Sequence, residues 1–264
     1  QAHLLITMQG SENMSFDAQE LKSLSGCTDQ TLRALLGAGL LEEVEKDVVM
    51  PPAPPTPHAH QADAIATIVE AIESRTPETM LLFGVTGSGK TEVYLRAAKE
   101  ALRLGRQVLF LVPEIRLTPQ VVAKLRERFG ATVAVLHSNM SPTERLQSWF
   151  RARRGEAAVI LGARSALFAP LDNVGLIIMD EEHESSYKQE SAPRYHARTV
   201  AKKLAEIHGC PLVLGSATPS LESAFAAQEG QFRLLQLPYR AADAQLPTVE
   251  IVDLTEMYSN GPAP

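Results

Sequence analysis

Met80-Leu81-Leu82-Phe83-Gly84-Val85-Thr86-Gly87-Ser88-Gly89-Lys90-Thr91 is an apolar run that breaks into a glycine-rich turn and closes on Lys-Thr. The turn has the spacing Gly-x-x-x-x-Gly-Lys-Ser/Thr of a phosphate-binding loop, and it stands between an expected strand and an expected helix, as that loop requires. Its glycines let the backbone fold tightly enough for several N–H groups to converge on phosphate oxygens. The start of the following helix adds the positive end of its dipole. Gly84, Val85, Thr86, Gly87, Ser88, Gly89, Lys90 and Thr91 are therefore the expected ATP-binding residues. Lys90 is expected to reach the β- and γ-phosphates, and Thr91 to place its hydroxyl on Mg²⁺. The alternative is a plain turn between strand and helix, which would not need Lys-Thr.

Outward from this loop the chain alternates. Short apolar runs fall at 80–83, 108–112, 132–136, 158–161, 176–179 and 212–214, with helical stretches such as 91–104, 119–129, 142–153 and 197–208 between them. Strands alternating with helices predict an α/β fold with a parallel sheet, and nearly all-apolar strands predict that helices flank both faces. The run Leu176-Ile177-Ile178-Met179 ends in Asp180-Glu181-Glu182-His183. Ligands of such sheets gather at the carboxyl ends of strands. Asp180 is thus expected beside the phosphate loop as a second Mg²⁺ ligand, and Glu181 as general base for an attacking water. Lys90, Asp180 and Glu181 form the expected catalytic set. Glu182 and Glu184 are expected on the surface or as partners of His183. A solvated acidic loop is the competing reading.

The N-terminal 50 residues read as a small helical unit. Ser15 can cap a helix to position 24 and Thr28 a second to position 38, with a short hairpin over 40–49; two helices and a hairpin suggest a winged helix. Five prolines in residues 51–57 predict an extended linker. An ATP-binding lobe over 58–247 and a connecting segment over 248–264, with a strand near 249–252, complete the expected domains. Residues 1–57 hold eight acids against three bases, which favours a protein-contact or hinge role over DNA reading for the winged helix. The whole chain has 264 residues and a formal net charge of −6. A broad basic DNA-gripping surface is excluded, so any nucleic-acid contact is expected in a local groove. Arg145, Arg151, Arg153 and Arg154 are expected on a solvated helix end, phosphate binding being the alternative, with Trp149 and Phe150 in the core. Cys27 and Cys210 lie far apart, which supports neither a disulfide framework nor a zinc site and suits a reducing cytoplasmic setting. No apolar run is long enough for a membrane span. Gln1-Ala2-His3 carries neither an initiator Met nor a signal-peptide start, as expected of a segment from a longer protein.

A phosphate loop followed by Asp180-Glu181-Glu182-His183 and Ser216-Ala217-Thr218 resembles the superfamily 2 helicases. The strings Leu111-Val112-Pro113-Glu114-Ile115-Arg116-Leu117-Thr118-Pro119-Gln120, Gly162-Ala163-Arg164-Ser165-Ala166-Leu167-Phe168-Ala169-Pro170 and Pro193-Arg194-Tyr195-His196-Ala197-Arg198 are similar to those of the PriA family of replication-restart DNA helicases. The resemblance covers roughly 58–255. It implies a RecA-like first helicase lobe after a winged helix, and an ATP-dependent helicase or translocase acting at stalled forks. ATP and Mg²⁺ are the implied cofactors. The implied partners are DNA, as single strand and fork junction, and other primosome and single-strand-binding proteins. It also implies adenine reading by Gln61 and coupling of the nucleotide site to DNA through His183, Ser216 and Thr218. DNA contacts are implied at Thr118, Arg164, Arg194 and Tyr195, with His196 a further stacking candidate. Arg164 can equally be an ion-pair residue, and Arg194, Tyr195 and Arg198 can instead dock their loop. Gln61 can instead be an exposed helix-start residue. The family's zinc-binding cysteines and second lobe have no counterpart in the sequence, so the 264 residues alone are expected to bind Mg·ATP but turn it over poorly. A nucleotide-binding scaffold that loads replication proteins without unwinding is the alternative function; a phosphate-loop kinase fits the Asp180 and Ser216 motifs less well.

Overall fold

The computed structural model describes residues 28–37, 55–137 and 140–240. The chain divides into two units, Gln1–Pro54 and Pro55–Pro264. In the first, helix α1 (Asp29–Gly37) begins after Thr28, whose hydroxyl accepts the Thr31 N–H at 3.3 Å, and it buries Leu35. The expected helix over 15–24, the hairpin over 40–49, Cys27 and the strand over 249–252 lie outside the described residues.

The second unit is a seven-stranded sheet. Its strands are β1 (Thr79–Gly84), β2 (Gln107–Leu111), β3 (Val133–Leu136), β4 (Val159–Gly162), β5 (Val174–Asp180), β8 (Leu212–Ser216) and β9 (Arg233–Leu237), in the order β3-β4-β2-β5-β8-β1-β9. Every pairing is parallel. Along every strand but the edge strand β9, alternate residues enter opposite cores. Met80, Leu82, Val108, Phe110, Leu176 and Ile178 join one, with helices α2 (Ala59–Ser74), α3 (Lys90–Arg103) and α4 (Pro119–Phe129). Leu81, Leu109, Leu111, Ile177, Met179 and Leu214 join the other, with α5 (Pro142–Arg153), α6 (Ala197–His208) and α7 (Leu221–Gln228). Burial on both faces is why these strands read as unbroken apolar runs.

Local chemistry sets the helix starts. Ser141 and Glu144 form a capping box at α5, Ser141 Oγ accepting the Glu144 N–H and Glu144 Oε2 the Ser141 N–H, with Pro142 at the first turn. His58 and Gln61 form the same box at α2. The buried Arg106 donates to the Ile72 carbonyl at 2.7 Å, capping the other end of α2. Gly175 makes room for it, since a Cβ there would lie 2.5 Å from Arg106 Cβ.

Trp149 and Phe150 correct an expectation. They are half-buried and exposed, respectively, because α5 buries only Ala152. Their rings pack edge to face on each other, with the Arg153 guanidinium over Trp149 and that of Arg154 over Phe150. Arg151 donates to the Ala131 carbonyl and Arg154 pairs with Glu156, so this helix end is solvated but internally engaged.

Candidate functional site

The sheet order brings the carboxyl ends of β1, β8 and β5 side by side. Phe83 pairs with Ser216 and Asp180 with Gly215, which sets the phosphate loop and the acidic strand end about two inter-strand spacings, roughly 10 Å, apart. Gly87 and Gly89 adopt positive φ of 82° and 83°, the conformation the tight turn needs. Gly84 has a different reason: a Cβ there would lie 2.5 Å from Ser88 Oγ and 2.9 Å from Leu237 Cβ.

Lys90 is buried at the first position of α3, and its Nζ donates to the Gly84 carbonyl at 2.6 Å. Burial lowers its pKa, against the opposing pull of Glu181 and Asp180. Ser88 Oγ is fully buried and has no hydrogen-bond partner among the described residues. Gln61 is buried, which excludes the exposed helix-start reading. Its Nε2 donates to the Ser88 carbonyl at 2.9 Å and its Oε1 accepts the His58 N–H at 3.1 Å, so the side chain braces the phosphate loop.

Asp180 ends β5. Its Oδ1 accepts the Tyr94 hydroxyl at 3.0 Å, and its backbone carbonyl accepts the Tyr187 hydroxyl at 2.8 Å. Burial and the neighbouring Glu181 push the carboxyl up, while Tyr94 and Lys90 pull it back. Glu181 sits at φ 47°, a left-handed conformation uncommon for a residue with a side chain. Its carboxylate lies 3.5 Å from Arg116 and 3.8 Å from His183 Nδ1. His183 Nδ1 and Ser216 Oγ are 2.8 Å apart, Thr218 N donates to Ser216 Oγ at 2.9 Å, and Thr218 Oγ1 lies 3.5 Å from His183 Nε2. The three expected coupling residues therefore form one chain beginning two residues beyond Glu181.

Glu182 is not a surface residue or a His183 partner, as expected; it is buried. It accepts from Ser220 N at 2.7 Å, Ser220 Oγ at 3.1 Å, Ser223 Oγ at 2.9 Å and Arg198 Nη1 at 2.9 Å. The cause is the tight turn after Glu181, which brings Glu182 N to the Gly215 carbonyl at 3.1 Å and sends its carboxylate toward α6 and α7. Arg198 is thereby fixed as a docking residue.

The expected DNA contacts lie in the segments after β2, β4 and β5, three adjacent strands; β5 ends in Asp180, and β2 and β4 lie on its side away from the phosphate loop. The segment after β5 forms a small hairpin, β6 (Lys188–Gln189) with β7 (Tyr195–His196), containing a cis Ala192–Pro193 bond. Arg164 donates to the Ser186 carbonyl at 2.9 Å and to the Lys188 carbonyl, and its guanidinium lies 5.8 Å from the Tyr195 ring centroid. Its hydrogen-bond partners are thus carbonyls and not the carboxylate of an ion pair. Tyr195 packs edge to face on Phe168, and Arg194 donates to the Glu190 carbonyl across the hairpin. Thr118 precedes α4 and makes no side-chain cap bond there. His196 Nδ1 accepts the Arg198 N–H as the cap of α6; burial and Arg198 push the imidazole's pKa down, which favours the neutral acceptor form. That role competes with stacking.

Mg²⁺ fits this donor set. Magnesium takes one or two protein oxygens and completes its shell with phosphate oxygens and water, and Thr91 and Asp180 are hard oxygen donors. No cluster of three or more His, Cys, Asp or Glu suited to a metal occurs among the described residues. The unpartnered Ser88 hydroxyl and the inward-turned Lys90 are the spare donors an anion would engage.

Residues 58–226 match the DEAD/DEAH box helicase family, and the chain belongs to it. Within that class it is 44% identical to the replication restart protein PriA of Bacillus subtilis over 99% of this chain and 34% of that protein. It is 51% identical to PriA of Haemophilus influenzae over 66% of this chain and 24% of that one. The resemblance carried by the three strings is thus borne out. The chain spans about a third or less of the length of these relatives. RecG, solved bound to a three-way DNA junction, shares the fold at a TM-score of 0.54 and 23% identity, over 87% of this chain and 31% of that one.

Proposed function

We propose that the chain is the winged-helix unit and first motor lobe of an ATP-dependent DNA helicase or translocase that restarts replication at stalled forks. The observation that carries the reading is the alignment of Lys90, Ser216 and Asp180 along the carboxyl ends of three adjacent strands, inside a chain whose relatives are replication-restart proteins. Lys90 and the phosphate-loop N–H groups bind the β- and γ-phosphates, Thr91 and Asp180 hold Mg²⁺, and Glu181 orients the attacking water. Gln61, as well as bracing the loop, has a second amide N–H to offer an adenine. Bound Mg²⁺ would supply charge neutralisation between the phosphates. Glu181, held between Arg116 and His183, sits where a shift of Ser216 and Thr218 reaches it. Thr118, Arg164, Arg194 and Tyr195 face single-stranded DNA, with backbone phosphates and stacked bases as the contacts.

The test is an unwinding assay on the complete protein against Lys90→Ala. Loss of unwinding with nucleotide-independent fork binding retained supports the motor; unwinding by the variant, or fork-dependent helicase loading that needs no hydrolysis, supports the scaffold. The 264 residues by themselves are expected to bind Mg·ATP and to hydrolyse it slowly, with little stimulation by DNA; robust DNA-stimulated turnover would overturn this. In the complete protein, Tyr195→Ala should uncouple hydrolysis from DNA, and unchanged stimulation would refute its stacking role.

A further inference from the structure

Asp180 is held from both faces of the sheet by tyrosines. Tyr94 reaches it from α3, in the core containing α2 and α4, and Tyr187 from the opposite core. The two bonds differ in kind. Tyr187 fixes the backbone carbonyl, and so the peptide; Tyr94 fixes the carboxylate itself. Tyr94 is four residues beyond Lys90 and three beyond Thr91, so all three side chains stand on one side of α3. Its ring is almost fully buried and packs edge to face on Phe110 at 5.6 Å. Strand β8 is shaped to admit it: a Cβ on Gly215 would lie 1.5 Å from the Tyr94 oxygen and 3.3 Å from Asp180 Oδ1. Gly215 has no positive φ to explain it, so the close approach of Tyr94 is the reason for a residue without a side chain.

We propose that Tyr94 is a positioning residue for the nucleotide-bound metal, engaging one oxygen of Asp180 so that the other is presented to the cation held by Thr91 on the same helix. One rigid helix then carries Thr91 and, through Tyr94, sets its separation from Asp180 at the end of β5. The inference rests on the reading of Thr91 and Asp180 as the Mg²⁺ ligands. Outer partners of metal ligands orient them, and losing such a partner costs about 10- to 100-fold in metal affinity.

The test uses the full chain, saturated with a non-hydrolysable ATP analogue and titrated with Mn²⁺ followed by electron paramagnetic resonance. Tyr94→Phe keeps the ring and its packing and removes only the hydroxyl. It is expected to weaken Mn²⁺ binding about tenfold or more, while affinity for the analogue in EDTA and the melting temperature stay close to native. Gly215→Ala, which expels the hydroxyl by contact, should reproduce the loss, and should add little in a Tyr94→Phe background. Native Mn²⁺ affinity in Tyr94→Phe overturns the proposal. So does a parallel loss of analogue binding in EDTA, which marks a purely structural tyrosine. If the native chain binds the analogue but takes up no Mn²⁺, the assignment of Thr91 and Asp180 falls, and the proposal with it.

Discussion

Ser88 and Lys90 of the phosphate loop and Glu182 of the neighbouring junction are buried polar groups at the carboxyl ends of the strands, yet the two places use their hydrogen-bonding capacity in opposite ways. At the loop, Ser88 Oγ has no partner among the described residues, and Lys90 turns back on a carbonyl of its own loop. At the junction, Glu182 accepts four hydrogen bonds and is paired with Arg198. The loop retains donors that a phosphate can claim. The junction retains none, because its task is to hold the turn after β5, the start of α6 and the start of α7 in one arrangement.

If that contrast is right, mutations at the two places should fail differently. The largest effect belongs to the junction. Arg198→Met strands a buried carboxylate and should destabilise the fold by about 3–5 kcal/mol in urea denaturation. A loss under about 1 kcal/mol would show that Glu182 is hydrated and the contrast false. Lys90→Ala should do the reverse. It should weaken nucleotide binding by about 1.5–3 kcal/mol, the worth of a hydrogen bond to a charged group, without lowering the melting temperature of the ligand-free protein, since burial already disfavours the charged lysine. Fluorescent nucleotide titration with a parallel melt separates the two.

Asp180 allows a sign to be tested. Its pKa is raised by burial and by Glu181, so the ionised form costs the ligand-free fold stability at neutral pH. That cost disappears as pH falls through the raised value. Asp180→Asn should therefore raise the melting temperature of the ligand-free protein at pH 7. The gain should fade toward about pH 4, the ordinary aspartate value. A gain constant with pH would mean that charge is not the cause. Phe150→Ser, on an exposed helix end away from both regions, should move stability by no more than about 0.5 kcal/mol.

The phosphate loop and the acidic strand end were legible because each is written in consecutive residues: a glycine spacing, and an apolar run closing on carboxylates. Glu182 was misread because its burial depends on Ser220, Ser223 and Arg198, which no local pattern brings to it. Tyr94 carried no signal at all; among the apolar residues of α3 it reads as core, which its ring is, and only its contact with Asp180 reveals the hydroxyl's purpose. Strand β9 escaped because it is an edge. Arg233-Leu234-Leu235-Gln236-Leu237 buries only Leu235 and Leu237, so it lacks the continuous apolar run that marked the central strands.

The place of β1 in the sheet has a consequence for biosynthesis. Although β1 is the first strand of the sheet in the chain, both of its ladder partners come last: Met80 pairs with Val213 on one side and with Arg233 on the other. Strands β2 to β5 can pair among themselves as the nascent chain emerges, while β1 waits. The nucleotide loop at its end, whose Gly84 packs on Ser88 and Leu237, is therefore finished only after the ribosome has passed residue 237. Until then the loop is incomplete, and no ligand that needs the finished loop can guide the folding of the lobe.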